Sequence, residues 1–141
     1  MSNPKSVSRY VRELGHNVRS RPEEQFCRLL VKENIEYLYE PERFDIITSE
    51  GYHRTYLPDI YLPNTNIYIE IKGRFRPTDI KKQKAFISQY PNETLIMGGG
   101  HDQNNCYTER YEWEDREKCI EHLKIKELKE MIRELKENNQ G

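Results

Sequence analysis

Apolar positions recur with two periods along the chain, and the change from one to the other marks out its elements. From Pro22 onward Phe26, Leu29, Leu30 and Ile35 fall at helical spacing, with Ser20 placed as an N-cap and Pro22 in the first turn, which predicts a helix over 21–34. The run 37–48 is aromatic and β-branched and Gly51 follows it, so it reads as a strand interrupted near Pro41. Segments 55–62 and 66–72 follow as two further strands, and the turn-forming cluster Pro63-Asn64-Thr65 between them makes a hairpin the simplest connection. Pro77, Thr78 and Asp79 open a second helix with Ile80, Phe86, Ile87 and Tyr90 on its apolar side, ending at Pro91. Thr94 to Met97 is a short buried strand that Gly98–Gly100 close into a loop. Helix, three strands, helix, strand is an α/β order with a mixed sheet, because the crossover helix favours parallel pairing of the last two strands.

The ends of the chain read differently. Residues 1–20 are basic, with Lys5, Arg9, Arg12 and Arg19 against Glu13, and show no lasting apolar period, so they are expected to form a mobile or partner-dependent arm. Residues 115–138 are helix-forming, with Ile120, Leu123, Leu128, Met131, Ile132 and Leu135 among charges, and their stripe shifts near Ile125. One bent helix or two helices both fit, as cover for the sheet or as a pairing surface between two copies. The resulting division is an arm over 1–20, a core over 21–114 and a C-terminal helical segment over 115–141.

Composition sharpens this picture. A length of 141 residues suits one domain, and 33% charged residues with a mean hydropathy of −1.02 exclude a membrane span. Cys27, Cys106 and Cys119 have neither the spacing of a zinc site nor the number for a disulfide framework, and the N-terminus lacks an apolar signal segment, so a reducing cytoplasmic setting is expected. The net charge of −1 argues against nucleic acid only as an average. Residues 1–89 hold fifteen Lys and Arg to twelve acids, whereas 90–141 hold eight to twelve, so the first two-thirds are basic.

The chemistry concentrates in Pro58-Asp59 and Glu70-Ile71-Lys72. Strand alternation puts Glu70 and Lys72 on one face with Ile71 in the core, and hairpin pairing sets Asp59 beside Glu70. Two adjacent carboxylates repel unless a hard cation lies between them, which suits Mg²⁺ or Mn²⁺. Lys72 is then placed to polarise a water at a developing negative charge. Arg74, Arg76, Lys81, Lys82 and Lys84 follow as candidate phosphate contacts, and His53, Arg54 and Thr55 precede Asp59 as a second set. Five of the ten tyrosines, Tyr37, Tyr39, Tyr56, Tyr61 and Tyr68, lie in predicted strands, where sheet packing explains them better than base stacking.

This pattern resembles the PD-(D/E)XK nuclease superfamily. Ser20-Arg-Pro-Glu23, Asn34 to Glu40, Leu57 to Asn64 and Ile69 to Gly73 are similar, more narrowly, to the phage endonuclease I group of Holliday-junction resolvases. The resemblance implies a restriction-endonuclease-like αβββαβ core. It implies Asp59 and Glu70 as metal ligands, with the backbone carbonyl of Ile71 completing the set. Lys72 would act on the attacking water or the phosphate, and a helix-borne glutamate is matched best by Glu23, with Glu24 its competitor. The implied activity is Mg²⁺-dependent hydrolysis of four-way or otherwise branched DNA by a homodimer encoded by a phage or mobile element, with Mn²⁺ able to substitute. A sequence-specific restriction-type or nicking enzyme, and a non-catalytic DNA-binding subunit, are the alternatives on the same core.

Overall fold

Two short strands precede the first helix: β1 (Arg9–Val11) and β2 (His16–Val18) pair antiparallel through a turn at Gly15, whose φ of +77° favours glycine. The computed structural model describes residues 8–71, 77–100, 106–108 and 125–140. This hairpin occupies half of the stretch expected to be an irregular arm. It contributes Val11 and Val18 to the core, a two-residue apolar signal too sparse to register as a period.

Helix α1 (Arg21–Lys32) starts where the capping pattern puts it, with the Glu23 N–H donating to Ser20 Oγ at 3.2 Å. It ends in a Schellman arrangement: Asn34 at φ +58° donates to the Val31 carbonyl and Ile35 to that of Leu30. The run after it breaks at Pro41 as expected, into β3 (Leu38–Tyr39) and β4 (Phe44–Ile47). The single strand expected over 55–62 is instead two, β5 (His53–Tyr56) and β6 (Ile60–Leu62), because Pro58 has no N–H for a ladder. Strands β4 and β5 pair with each other as a separate hairpin. The segment β7 (Ile67–Ile71) pairs antiparallel with β6 through the predicted turn, in which Asn64 adopts φ +65° and Thr65 Oγ1 donates to the Leu62 carbonyl.

Helix α2 (Pro77–Gln89) carries the chain across to β8 (Thr94–Gly100), which runs parallel to β7 as the crossover argument requires. Gly98–Gly100 do not leave the sheet. They extend β8 and pair with β9 (Cys106–Thr108), giving a mixed sheet in the order β3-β6-β7-β8-β9. Glycine is a loop signal in sequence, yet pairing with β9, and for Gly98 also with Ile71 of β7, supplies the ladder that holds the three extended.

Alternation along β7 sorts the core into two layers. Ile67, Ile69 and Ile71 face α1, packing with Phe26, Cys27 and Leu30. Tyr68 faces the other way, into an aromatic cluster of Phe44, Tyr56 and Phe86 from β4, β5 and α2. Helix α3 (Ile125–Gln140) closes the first layer by burying Leu128, with Met131, Ile132 and Leu135 partly buried against it and Lys129 paired to Glu33 at 3.1 Å. Of the two roles open to the C-terminal segment, sheet cover is realised by this helix. The N-terminal part of that segment lies outside the described residues, as do Cys119 and His101. Cys27 is a fully buried thiol, pushed up to about 12 chiefly by burial, with its bond to Tyr37 pulling the other way. No helix among the described residues is long and apolar enough to cross a membrane.

Candidate active site

The β6–β7 register pairs Ile60 with Ile69, and one step back it sets Asp59 opposite Glu70. Glu70 lies on the face that carries Tyr68, where it meets Tyr56, and Asp59 is 7% exposed. Each is held by a donor from another part of the chain. The Ile71 N–H donates to Asp59 Oδ2 at 2.7 Å, and the Tyr56 hydroxyl donates to Glu70 Oε1 at 2.6 Å. Burial pushes Asp59 well above the usual carboxylate range, and the Glu70 and Glu23 charges push it further, against the Ile71 N–H. Glu70 is raised too, by burial first and then by Asp79 and Glu23, while its bonds to Tyr56 and Asp59 oppose the shift. In the metal-free protein burial and mutual repulsion therefore favour protonation of the pair.

Glu23 joins this cluster from the first turn of α1. It is buried, and its Oε1 accepts from the Arg19 N–H at 2.8 Å and from the Tyr39 hydroxyl at 2.6 Å. Its capping geometry alone explains part of this, because an N3 glutamate commonly reaches back to an amide ahead of the helix. The Tyr39 bond and the effect of Glu23 on both other acids go beyond a cap. Glu24 points elsewhere: against a burial penalty, its ion pairs with Arg28 and Arg9 hold it below the usual range, so it is engaged at the β1–β2 side. Beside Asp59 the backbone is unusual. Glu40 adopts φ +48°, donates its N–H to the Asp59 carbonyl at 2.7 Å and binds the Arg19 guanidinium at 2.9 Å.

The hard oxygen chemistry of this donor set fits a divalent cation. Among the described residues no three His, Cys, Asp or Glu side chains group as a ready metal cage. Two carboxyls plus main-chain oxygen suit Mg²⁺, which keeps several of its waters and is commonly held by one or two carboxylates.

Of the cationic candidates, His53, Arg54 and Thr55 are exposed on β5, the strand that ends in Tyr56. Lys81 and Lys84 line a groove of about 470 Å³ with Ile47, Ser49 and Ser88, and Lys81 pairs with Glu50 at 2.9 Å. Lys82 is half-buried on the same helix. Lys72, Arg74 and Arg76 lie outside the described residues. Three residues at the acid cluster escaped the sequence reading: Tyr39, Tyr56 and Asp79. Tyr56 lies three residues before Asp59, and a buried phenol needs a partner for its hydroxyl, which is the signal that would have found it.

The sign of the carboxyl shifts makes a prediction. Folded values above the unfolded ones mean that unfolding releases protons between about pH 4 and pH 7, so the pair's contribution to stability is greatest in acid and falls as the pH rises through that window. Relative to metal-free wild type, Glu70→Gln is expected to gain thermal stability as the pH goes from 5 to 8, by several degrees in Tm at the upper end. Melting curves of both proteins across that range check it, and a difference independent of pH would refute it.

A scan against protein families matches phage endonuclease I over residues 5–107, and a search of curated proteins finds no match. The matched span contains α1 with Glu23, the Asp59–Glu70 hairpin, the crossover helix and the strands that frame them. By that match, which covers most of its length, the chain belongs to the phage endonuclease I family of nucleases.

Proposed function

We propose that the chain is a Mg²⁺-dependent endonuclease that hydrolyses phosphodiester bonds in branched DNA, four-way junctions foremost, working as a homodimer inside the host cell of a phage or mobile element. The observation that carries this reading is the pair of desolvated carboxyls, Asp59 and Glu70, fixed side by side by the Ile71 N–H and the Tyr56 hydroxyl. Such a pair is costly unless a cation offsets it.

Asp59, Glu70 and the Ile71 carbonyl would hold the metal, with Mn²⁺ able to replace Mg²⁺. When bound, it supplies positive charge to the scissile phosphate and lowers the pKa of a water. Tyr56 keeps Glu70 in one rotamer by occupying Oε1. Glu23 is held through its own Oε1 and its charge acts on both other acids, so its remaining oxygen would be left to orient water there. Lys72, two residues after Glu70 in the sequence, would offset charge building on the phosphate. His53, Arg54 and Thr55 on β5, and Lys81, Lys82 and Lys84 on α2, with Arg74 and Arg76 from the sequence that precedes it, would contact phosphates on either side of the cut. A junction has two strands to cut, and a two-fold dimer presents two sites to them.

One assay tests this: a labelled four-way junction, a linear duplex and a single strand, each with Mg²⁺, Mn²⁺ or chelator. Metal-dependent cutting concentrated on the junction is expected. Sequence-restricted cutting of the duplex would move the reading to a restriction-type or nicking enzyme, and binding with no cutting to a non-catalytic subunit. Sedimentation of the protein with and without junction reports the dimer.

A further inference from the structure

The β4–β5 hairpin carries more than Tyr56. Its ladder pairs Phe44 with Tyr56 and Ile46 with Arg54, and the Thr48 N–H to the Tyr52 carbonyl at 2.9 Å extends it by one rung. Period two therefore places Tyr52, Arg54 and Tyr56 on one face of the strand. The inner end of that row is buried on Glu70; the outer end is open. Tyr52 is 55% exposed, and the Arg54 guanidinium sits over its ring, 5.0 Å from the centroid. Of the other tyrosines, Tyr37, Tyr39, Tyr56 and Tyr61 hydrogen-bond to protein partners, Tyr68 lies in the aromatic cluster, and Tyr10 is exposed on β1, away from this hairpin. Tyr52 presents its ring to solvent with a cation already stacked on it.

We propose that Tyr52 and Arg54 form a stacking platform for an unpaired or splayed base of branched DNA, which biases the enzyme toward branch points over intact duplex. The proposal rests on the endonuclease reading above. A phosphate contact requires no aromatic ring, and the bases of an intact duplex do not offer their faces. Bases freed from the stack do, and they settle on aromatic rings and guanidinium planes. Four residues of strand put the platform about 13 Å from Tyr56. At about 3.4 Å per base step, that span equals about four steps along a strand. An exposed, flexible arginine alone would be a poor base platform, and the Tyr52 ring beneath the Arg54 guanidinium carbon gives it an attractive contact that restrains it.

The test compares wild type, Tyr52→Ala and Tyr52→Phe for binding to a four-way junction and to a linear duplex, in Ca²⁺ to withhold cleavage. 2-Aminopurine at the branch point reports stacking. Junction affinity is expected to fall about tenfold in Tyr52→Ala with much less change on duplex. Tyr52→Phe is expected to keep both the affinity and the 2-aminopurine quenching. Equal losses on the two DNAs, or no loss at all, would overturn the platform. A wild type with no preference for the junction would overturn the branched-DNA reading beneath it, a result separable from any effect of the variants. Melting curves confirm that each variant is folded, which its exposed position favours.

Discussion

Asp59→Asn is expected to reduce cleavage by about 10³-fold while leaving junction binding intact or tighter. Asparagine keeps the shape and an oxygen for the Ile71 N–H, so the geometry at the β6–β7 pair survives. On the proposed reading it removes one of two anionic ligands, leaving Glu70 with no second carboxylate to share a cation. Binding would follow a different rule, because the phosphates would be attracted by the cationic residues of β5 and α2, and a negative charge near them is lost. Stability provides the third readout. The carboxyl is buried beside two other acids, so its neutralisation should raise the metal-free Tm at pH 8 by several degrees. Added Mg²⁺ should stabilise wild type by about 2.7 kcal/mol at one hundred times its dissociation constant, and Asp59→Asn far less. A variant that loses cleavage with its Tm lowered, or still stabilised by Mg²⁺, would show that Asp59 serves the fold and not a metal.

The elements that frame this site were legible because local signals and tertiary pairing agree there. Pro63-Asn64-Thr65 names its own turn, Ser20 names its own cap, and the spacing between Asp59 and Glu70 fits one hairpin register. The rest failed to show where the decisive partner is remote. Pro58 splits the expected 55–62 strand, but nothing local says that its first half leaves the main sheet to pair with β4. Gly98–Gly100 look like a loop until β9 is beside them. The β1–β2 hairpin depends on two valines docking in the core and on the Arg9 to Glu24 pair, none of which is periodic. Tyr39 and Tyr56 were read as sheet packing, which is true of their rings. Their hydroxyls end on acids sixteen and fourteen residues away, and sequence gives no direction for a hydroxyl.

Phe86→Ala is expected to cost about 3–5 kcal/mol, a large part of the 5–15 kcal/mol typical of a whole domain. Phe86 is fully buried on α2, with its ring centroid 4.8 Å from Phe44, 5.2 Å from Tyr56, 5.7 Å from Tyr68 and 5.5 Å from Tyr90. Four rings converge on it, so little can collapse into the space it leaves, and the loss should appear as a lower urea midpoint with an unchanged slope. The same packing ties stability to the site. Tyr56 leans on Phe86 with one side of its ring and holds Glu70 with its hydroxyl, so a cavity there frees the phenol and with it the Glu70 rotamer. At a temperature where the variant is still folded, it should need more Mg²⁺ for half-maximal cleavage. Leu62→Ala supplies the comparison: it too opens a cavity, of about 2–5 kcal/mol, but in the layer facing α1 and α3 on the other side of the sheet. It should lose stability with its metal requirement unmoved. If both variants shift the Mg²⁺ requirement alike, general loosening of the fold is the cause and the contact between Phe86 and Tyr56 carries no special coupling to the acids.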